Sequence, residues 1–333
     1  MRALFFTNWI VRISAMSLWF AALCLSTYAF SHEIPPRADL VGELKTRSGA
    51  LHYEVLGEGF PLIMIAGGPG AAHVGLRPFF DRLAKRFKVI YIDNIGRGLS
   101  SDLNPGETHS PQRDADDIEA VRLALNLKRV ILVGHSYGAY VALDYVSRFS
   151  SHVEKLVLSS GGYGEKSWQE NIDHHNSFVQ KQYPEVWRKL VQLRAEGVSS
   201  CDSAYLAVYA AAAHDLLWFN PDNAKLLKPW WTDPRNAFKL NVYCEIIGRD
   251  SEIKVGGTMK DFNTLGRLSH LNMPVWLAVG RFDRIAMPKV ALDLFESLPK
   301  GIGTLRVFEK SGHFPWVEER ELYFAQLEQF LGH

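Results

Sequence analysis

The chain is poor in cysteine, in net charge and in repetition. Its 333 residues hold only 3 cysteines. None sits in a C-x-x-C pair, and neither Cys201 nor Cys244 has a histidine close by, which argues against a thiolate metal site. The formal net charge is +1, and like charges never gather in a block, so neither nucleic acid nor an acidic polymer is an expected partner. The 26 glycines follow no period, and no internal repeat or low-complexity tract is present. A G-x-x-x-x-G-K-[ST] phosphate loop is missing as well. What remains, 47% hydrophobic and 22% charged, is an ordinary globular balance, long enough for one large α/β domain with an insertion.

Charge is scarcest at the start. Arg2 and Arg12 are the only charged residues before Glu33, and residues 13–30 are apolar or small apart from a few hydroxyls. This reads as a basic segment, an apolar segment and a small-residue cleavage site such as Ala29-Phe-Ser31. A signal peptide over 1–31 and an exported chain, periplasmic or secreted, are expected. The alternative is an uncleaved anchor over 13–30, close to the roughly 18 residues that span a bilayer; that would be the chain's one membrane contact. Cys24 leaves with a cleaved signal. Cys201 and Cys244 then remain in an oxidising compartment, either as a disulfide or as two separate buried thiols.

The chemistry centres on Arg129-Val-Ile-Leu-Val-Gly-His-Ser-Tyr-Gly-Ala-Tyr140. Val130 to Val133 is a short β-branched and apolar run, as in a strand buried on both faces. Ala139 to Arg148 has helical apolar spacing. Between them lies Gly134-His-Ser-Tyr-Gly138. Strand, G-x-S-x-G and helix together form the sharp turn that lifts a serine hydroxyl above a sheet edge. A spectator serine in a glycine-rich turn is the plainer alternative. Ser136 is the candidate nucleophile, and the Tyr137 amide, at the helix N-terminus, can stabilise negative charge. A serine hydroxyl needs a base, and the base an orienting acid.

Other segments supply candidates. Pro61 to Ala66 reads as a buried strand running into Gly67-Gly68-Pro69-Gly70, where the Gly68 amide suits the second half of an oxyanion hole. Leu40 to Gly57 carries alternating strand signals of an antiparallel edge. Phe79 to Phe87 reads as a short amphipathic helix, Lys88 to Asp93 as a strand, and Asp93 to Ser100 as a structural turn whose amides bond to Asp93. Ser110 and Pro111 start a helix. After a strand at Val153–Leu158, residues 163–265 turn helical, with prolines as breakers and five tryptophans: Trp168, Trp187, Trp218, Trp230 and Trp231. Most of these aromatics belong to a cap's own core, and one or two line a pocket. His174-His175 lacks metal-ligand spacing and reads as a solvated helix face. Asp283 follows the strand Pro274–Val279, and His313 follows Thr304–Phe308, in the positions required of the acid and base. Glu309 and Glu318 read as surface groups, and a helix over Glu318–Leu331 closes the chain.

Taken together, Gly67-Gly-Pro-Gly70, Asp93-x-x-Gly-x-Gly-x-Ser100, Gly134-His-Ser-Tyr-Gly-Ala139, Gly256-Gly-Thr-Met-Lys-Asp261, Val279-Gly-Arg-Phe-Asp283 and Ser311-Gly-His-Phe-Pro-Trp-Val-Glu-Glu319 resemble the α/β-hydrolase fold and, within it, the proline iminopeptidase family of serine aminopeptidases. The resemblance implies a mostly parallel sheet flanked by helices. The core would run over 32–162 and 266–333, with an inserted helical cap over 163–265. It implies Ser136 as nucleophile, His313 as base, Asp283 as orienting acid, and Gly68 and Tyr137 as oxyanion donors. Ala66 stands where that family has histidine. The family holds the substrate's free amino group with cap carboxylates; Gly248-Arg-Asp-Ser-Glu252 occupies the corresponding place. Glu252 is the first candidate, Asp250 and Glu245 the reserves. The expected activity is release of N-terminal residues, proline among them, from short peptides or amino-acid amides. The alternative is an exported esterase with the same triad. No cofactor or metal is implied.

Overall fold

The computed structural model describes residues 38–332 except 232. The expected signal peptide or anchor over 1–31 lies outside the described residues. Eight strands form one sheet: β1 (Leu40–Lys45), β2 (Ala50–Leu56), β3 (Phe60–Ile65), β4 (Phe87–Asp93), β5 (Val130–His135), β6 (Val153–Ser159), β7 (Val275–Gly280) and β8 (Gly303–Phe308). Their order is β1-β2-β4-β3-β5-β6-β7-β8. The first two pairings, β1 with β2 and β2 with β4, are antiparallel, and all the others are parallel.

The apolar runs of the central strands are explained by burial on both faces. Ile63, Ile65, Ile90, Ile92, Val130 and Leu132 point into one core. Their alternates Leu62, Met64, Val89, Tyr91, Ile131 and Val133 point into the other. The first core is covered by α2 (Pro111–Ala124), α3 (Tyr137–Phe149) and α9 (Pro288–Ser297); the second by α1 (Arg77–Phe80) and α11 (Arg320–Leu331). Ser110 caps α2 as expected, its Oγ accepting from the Arg113 amide at 3.2 Å.

Between β6 and β7 the chain is helical: α4 (Glu165–Gln182), α5 (Pro184–Ala195), α6 (Ser203–Leu217), α7 (Ala224–Trp231) and α8 (Leu240–Ile247). Val179, Leu190, Tyr205, Tyr209, Ala212 and Leu216 give these helices a small core of their own. Cys201 and Cys244 are joined by a disulfide, with their Cα atoms 6.2 Å apart. No helix among the described residues is long and apolar enough to cross a membrane.

Two expectations need correction. The helix expected over Phe79–Phe87 is a four-residue α turn followed by a 3-10 turn over Asp81–Lys85, and Phe87 already belongs to β4. Tyr91 ties down this tighter turn by donating its hydroxyl to Asp81 Oδ1 at 2.7 Å. The closing helix is split into α10 (Pro315–Glu318) and α11, with Glu319 non-helical between them. There Glu319 Oε2 accepts from the Lys310 amide and the Ser311 hydroxyl, at 2.8 and 2.7 Å, in the loop that carries His313.

Candidate active site

Ser136 sits between β5 and α3 with φ 55° and ψ −120°, a strained conformation for a residue with a side chain. The flanking glycines permit it by their lack of a Cβ. A Cβ on Gly134 would lie 2.4 Å from the Gly138 carbonyl oxygen, and one on Gly138 would lie 2.3 Å from that of Ile65. The turn therefore demands glycine at both places, as the motif predicts.

His313 and Asp283 pair with each other, and His313 packs on His135 of this turn. His313 Nδ1 lies 3.1 and 3.0 Å from the two carboxylate oxygens of Asp283. Asp283 is buried, and its Oδ1 also accepts from the amides of Ile285 and Ala286 at 2.9 and 2.8 Å. These bonds fix the carboxylate while it orients the imidazole. The His313 amide donates to the Leu217 carbonyl at 2.7 Å, so the end of α6 holds the histidine loop. His135 does so from below: its Nε2 lies 3.1 Å from the His313 carbonyl oxygen, and the two rings are 5.0 Å apart. Burial, followed by the charge of His313, pushes the His135 pKa down to about 3. It is thus neutral, with Nε2–H donating. The sequence analysis gave His135 no part; its place inside the pentapeptide was the available signal. Glu318, read as a surface group, is half-buried and accepts from the Gly312, Phe219 and Asn220 amides at 2.6, 3.2 and 2.9 Å. It pins the histidine loop to the α6–α7 connection.

The glycine loop after β3 reaches the same place. Gly68 and Ser136 both line a cavity of about 590 Å³. Arg97, in the turn read as structural, is fully buried and grips this loop: Nε donates to the Pro69 carbonyl at 2.8 Å, and its two terminal nitrogens bond Asp114 at 2.7 Å each. Asp114 also accepts from the Tyr137 hydroxyl at 2.7 Å. Through Asp114, one buried ion pair connects the two expected oxyanion-hole segments. Asp93 bonds the turn as expected, Oδ2 accepting from the Leu99 amide at 2.9 Å.

The cavity walls come mainly from the cap and are largely apolar, with Leu206, Leu216, Phe238 and Leu240 among them. Among the described tryptophan side chains, Trp168 lines the cavity. Glu252 is the one carboxylate among the described lining residues. It is buried, takes the Tyr243 hydroxyl on Oε1 at 2.7 Å, and its amide donates to Ser200 Oγ at 3.0 Å. Burial raises its pKa, and the bonds from Tyr243 and Ser251 oppose this. The reserve candidates are engaged elsewhere. Glu245 accepts from the His109 amide at 3.1 Å, facing the start of α2, and Asp250 pairs with Arg194 on the surface; neither lines the cavity. His175 corrects the reading of a solvated His174-His175 face. His174 is exposed, but His175 is buried, lines the cavity and has Nδ1 3.3 Å from the Tyr209 hydroxyl. Burial, and then the charges of His174 and His313, push its pKa down to about 3. A serine on a strained turn, a carboxylate-held imidazole and a glycine loop beside a cavity are the parts that acyl transfer requires.

Fold and site together define a hydrolase. The alpha/beta hydrolase fold model matches residues 61–319, and the chain belongs to that family. Within it the chain is similar to proline iminopeptidases. The one from Heyndrickxia coagulans is 28% identical over 283 residues, covering 84% of this chain and 93% of that protein. The crystal structure of proline iminopeptidase from Mycobacterium smegmatis has a TM-score of 0.69 at 23% identity, covering 88% of this chain and 97% of that one. A thermophilic esterase from Thermogutta terrifontis shares the fold with a TM-score of 0.61 at 20% identity, covering 87% and 98%.

Proposed function

We propose that this hydrolase is an exported serine aminopeptidase of the proline iminopeptidase kind, releasing N-terminal residues, proline among them, from short peptides or amino-acid amides. One observation carries the reading: a buried carboxylate, Glu252, lines the same cavity as Ser136. A carboxylate in an apolar cavity is unfavourable unless something positive meets it, and a substrate ammonium supplies that charge. Tyr243 holds Oε1, so the carboxylate is oriented before the amine arrives. Ser136 then attacks the carbonyl, and His313 takes the serine proton and returns it to the leaving amine. Asp283 holds the imidazole tautomer that makes this possible. The Gly68 and Tyr137 amides receive the oxyanion, and water releases the acyl-enzyme by the same steps in reverse. The Cys201–Cys244 disulfide supports export, since such bonds persist in oxidising compartments.

An esterase reading draws on the apolar walls and on Glu252 standing without a second cavity carboxylate among the described residues. The test compares kcat/KM for proline p-nitroanilide, N-acetylproline p-nitroanilide and p-nitrophenyl acetate, with Ser136→Ala as blank. The aminopeptidase reading expects strong preference for the free amine. Indifference to acetylation, or turnover of the ester alone, moves the protein to the esterases.

A further inference from the structure

On the far side of the glycine loop lies a second cluster that the hydrolase reading does not use. We propose that His52, Glu54 and His73 form a binding site for a zinc-class divalent ion, held by His52 Nε2, Glu54 Oε1 and His73 Nε2. None of the three lines the Ser136 cavity, so the proposal stands whether the substrate is an amide or an ester.

The three residues are 9, 6 and 2% exposed. His52 and Glu54 are two apart on β2 and so share a face, and His73 opens the 3-10 turn at His73–Gly75 that follows the glycine loop. Glu54 Oε1 lies 3.4 Å from His52 Nε2 and 3.5 Å from His73 Nε2, and the donor atoms all fall within 4.8 Å of one another. Metal–donor bonds of about 2.0–2.1 Å at tetrahedral angles place donors about 3.3 Å apart. The two edges thus already approach the spacing an ion requires.

Three further features favour an ion. His73 Nδ1 is 2.8 Å from Asp93 Oδ1 and donates to it; this is the carboxylate–histidine arrangement that fixes the tautomer of a metal-binding imidazole. Nε2 faces Glu54 without a hydrogen-bond partner of good geometry, and an ion binding there would take the place of its proton. Arg77 Nη1 holds the other oxygen of Glu54 at 2.7 Å, which leaves Oε1 for the ion. Two imidazoles and one carboxylate suit zinc better than magnesium or calcium. The spacing in the sequence gives no hint of this, because the donors come from a strand and a distant loop. A bound ion would tie β2 to the loop carrying Gly68.

The test uses full-length protein stripped with a chelator and titrated with ZnCl2 by calorimetry, followed by Co2+ for its visible spectrum. The expected result is one ion per chain, a higher melting temperature and a tetrahedral Co2+ spectrum. His52→Ala should lose the zinc-dependent rise in melting temperature, whatever the melting temperature of its stripped form. Asp93→Asn should weaken binding by about 10–100-fold, and His174→Ala should bind like the parent. Absence of stoichiometric uptake would overturn the proposal and leave a proton-bridged network. An octahedral Co2+ spectrum, or zinc binding undiminished in His52→Ala, would overturn it equally. The spectrum of the unmodified protein decides the matter even if His52→Ala fails to fold.

Discussion

Replacing Arg97 with methionine isolates the contact that connects the two expected oxyanion-hole segments. Arg97 and Asp114 are 1 and 0% exposed. The arginine makes two bonds of 2.7 Å to the carboxylate, one of 2.8 Å to the Pro69 carbonyl and one of 2.9 Å to that of Ile95. Methionine fills similar volume but leaves Asp114 buried without its partner. Breaking a buried pair from one side costs about 3–5 kcal/mol. Burial already raises the Asp114 pKa, and Arg97 is the first force opposing that rise. Without Arg97 the folded-state pKa climbs further above the unfolded one. The penalty is therefore greater at neutral pH than in acid, shrinking as the pH falls and Asp114 takes up a proton. Urea unfolding across pH measures this directly, with an unchanged m-value as the check on two-state behaviour. Arg97→Met/Asp114→Leu should recover part of the loss, because the stranded charge is gone. A loss below about 1 kcal/mol at neutral pH, or one that does not change with pH, would refute the reasoning.

Other expectations follow from the same geometry. Cys201→Ser/Cys244→Ser frees a loop of 43 residues and should lower unfolding stability by up to about 4 kcal/mol on the chain-entropy model. Because Cys244 neighbours Tyr243 and Cys201 neighbours Ser200, both of which bond Glu252, its preference for free amines should fall as well. His135→Phe should lower kcat while leaving KM and the circular dichroism spectrum near their parent values, since the ring holds the His313 loop and touches no substrate. The pKa of Glu252 is raised by burial, so the carboxylate is lost as pH drops through a value above the usual glutamate range. Amine-dependent kcat/KM should fall with it. In Glu252→Gln that limb should vanish from the pH profile; its survival would assign it to another group.

The sheet was legible because its central strands are apolar on both faces. Val130–Val133 and Pro61–Ala66 cannot be solvated edges, and the glycines around Ser136 admit one turn. The antiparallel edge was readable from alternation in Leu51–Leu56. The cap was legible only as helical. Which of its side chains reach the cavity depends on how each helix is rotated against the core, and periodicity alone does not set that. His174 and His175 are adjacent in sequence, yet one faces solvent and the other the cavity. The same uncertainty covered Glu245, Asp250 and Glu252, separated in the structure by the turn after α8. Arg97 and Glu318 were missed for another reason. Charged residues in loops read as solvated unless their partners are known, and Asp114 and the Gly312 amide are brought to them only by the fold. The Cys201–Cys244 pairing was open for the same cause, since spacing alone permits two separate thiols.

The claim at the centre of this account is that Glu252 recognises a free amino group. The direct measurement is the ratio of kcat/KM for proline p-nitroanilide to that for its N-acetylated form, in the parent and in Glu252→Gln. Loss of a hydrogen bond to a charged group, worth about 1.5–3 kcal/mol, predicts a fall in that ratio of about 10–150-fold, with the p-nitrophenyl acetate rate held. An unchanged ratio in Glu252→Gln would contradict the account, even if the variant were slower on every substrate.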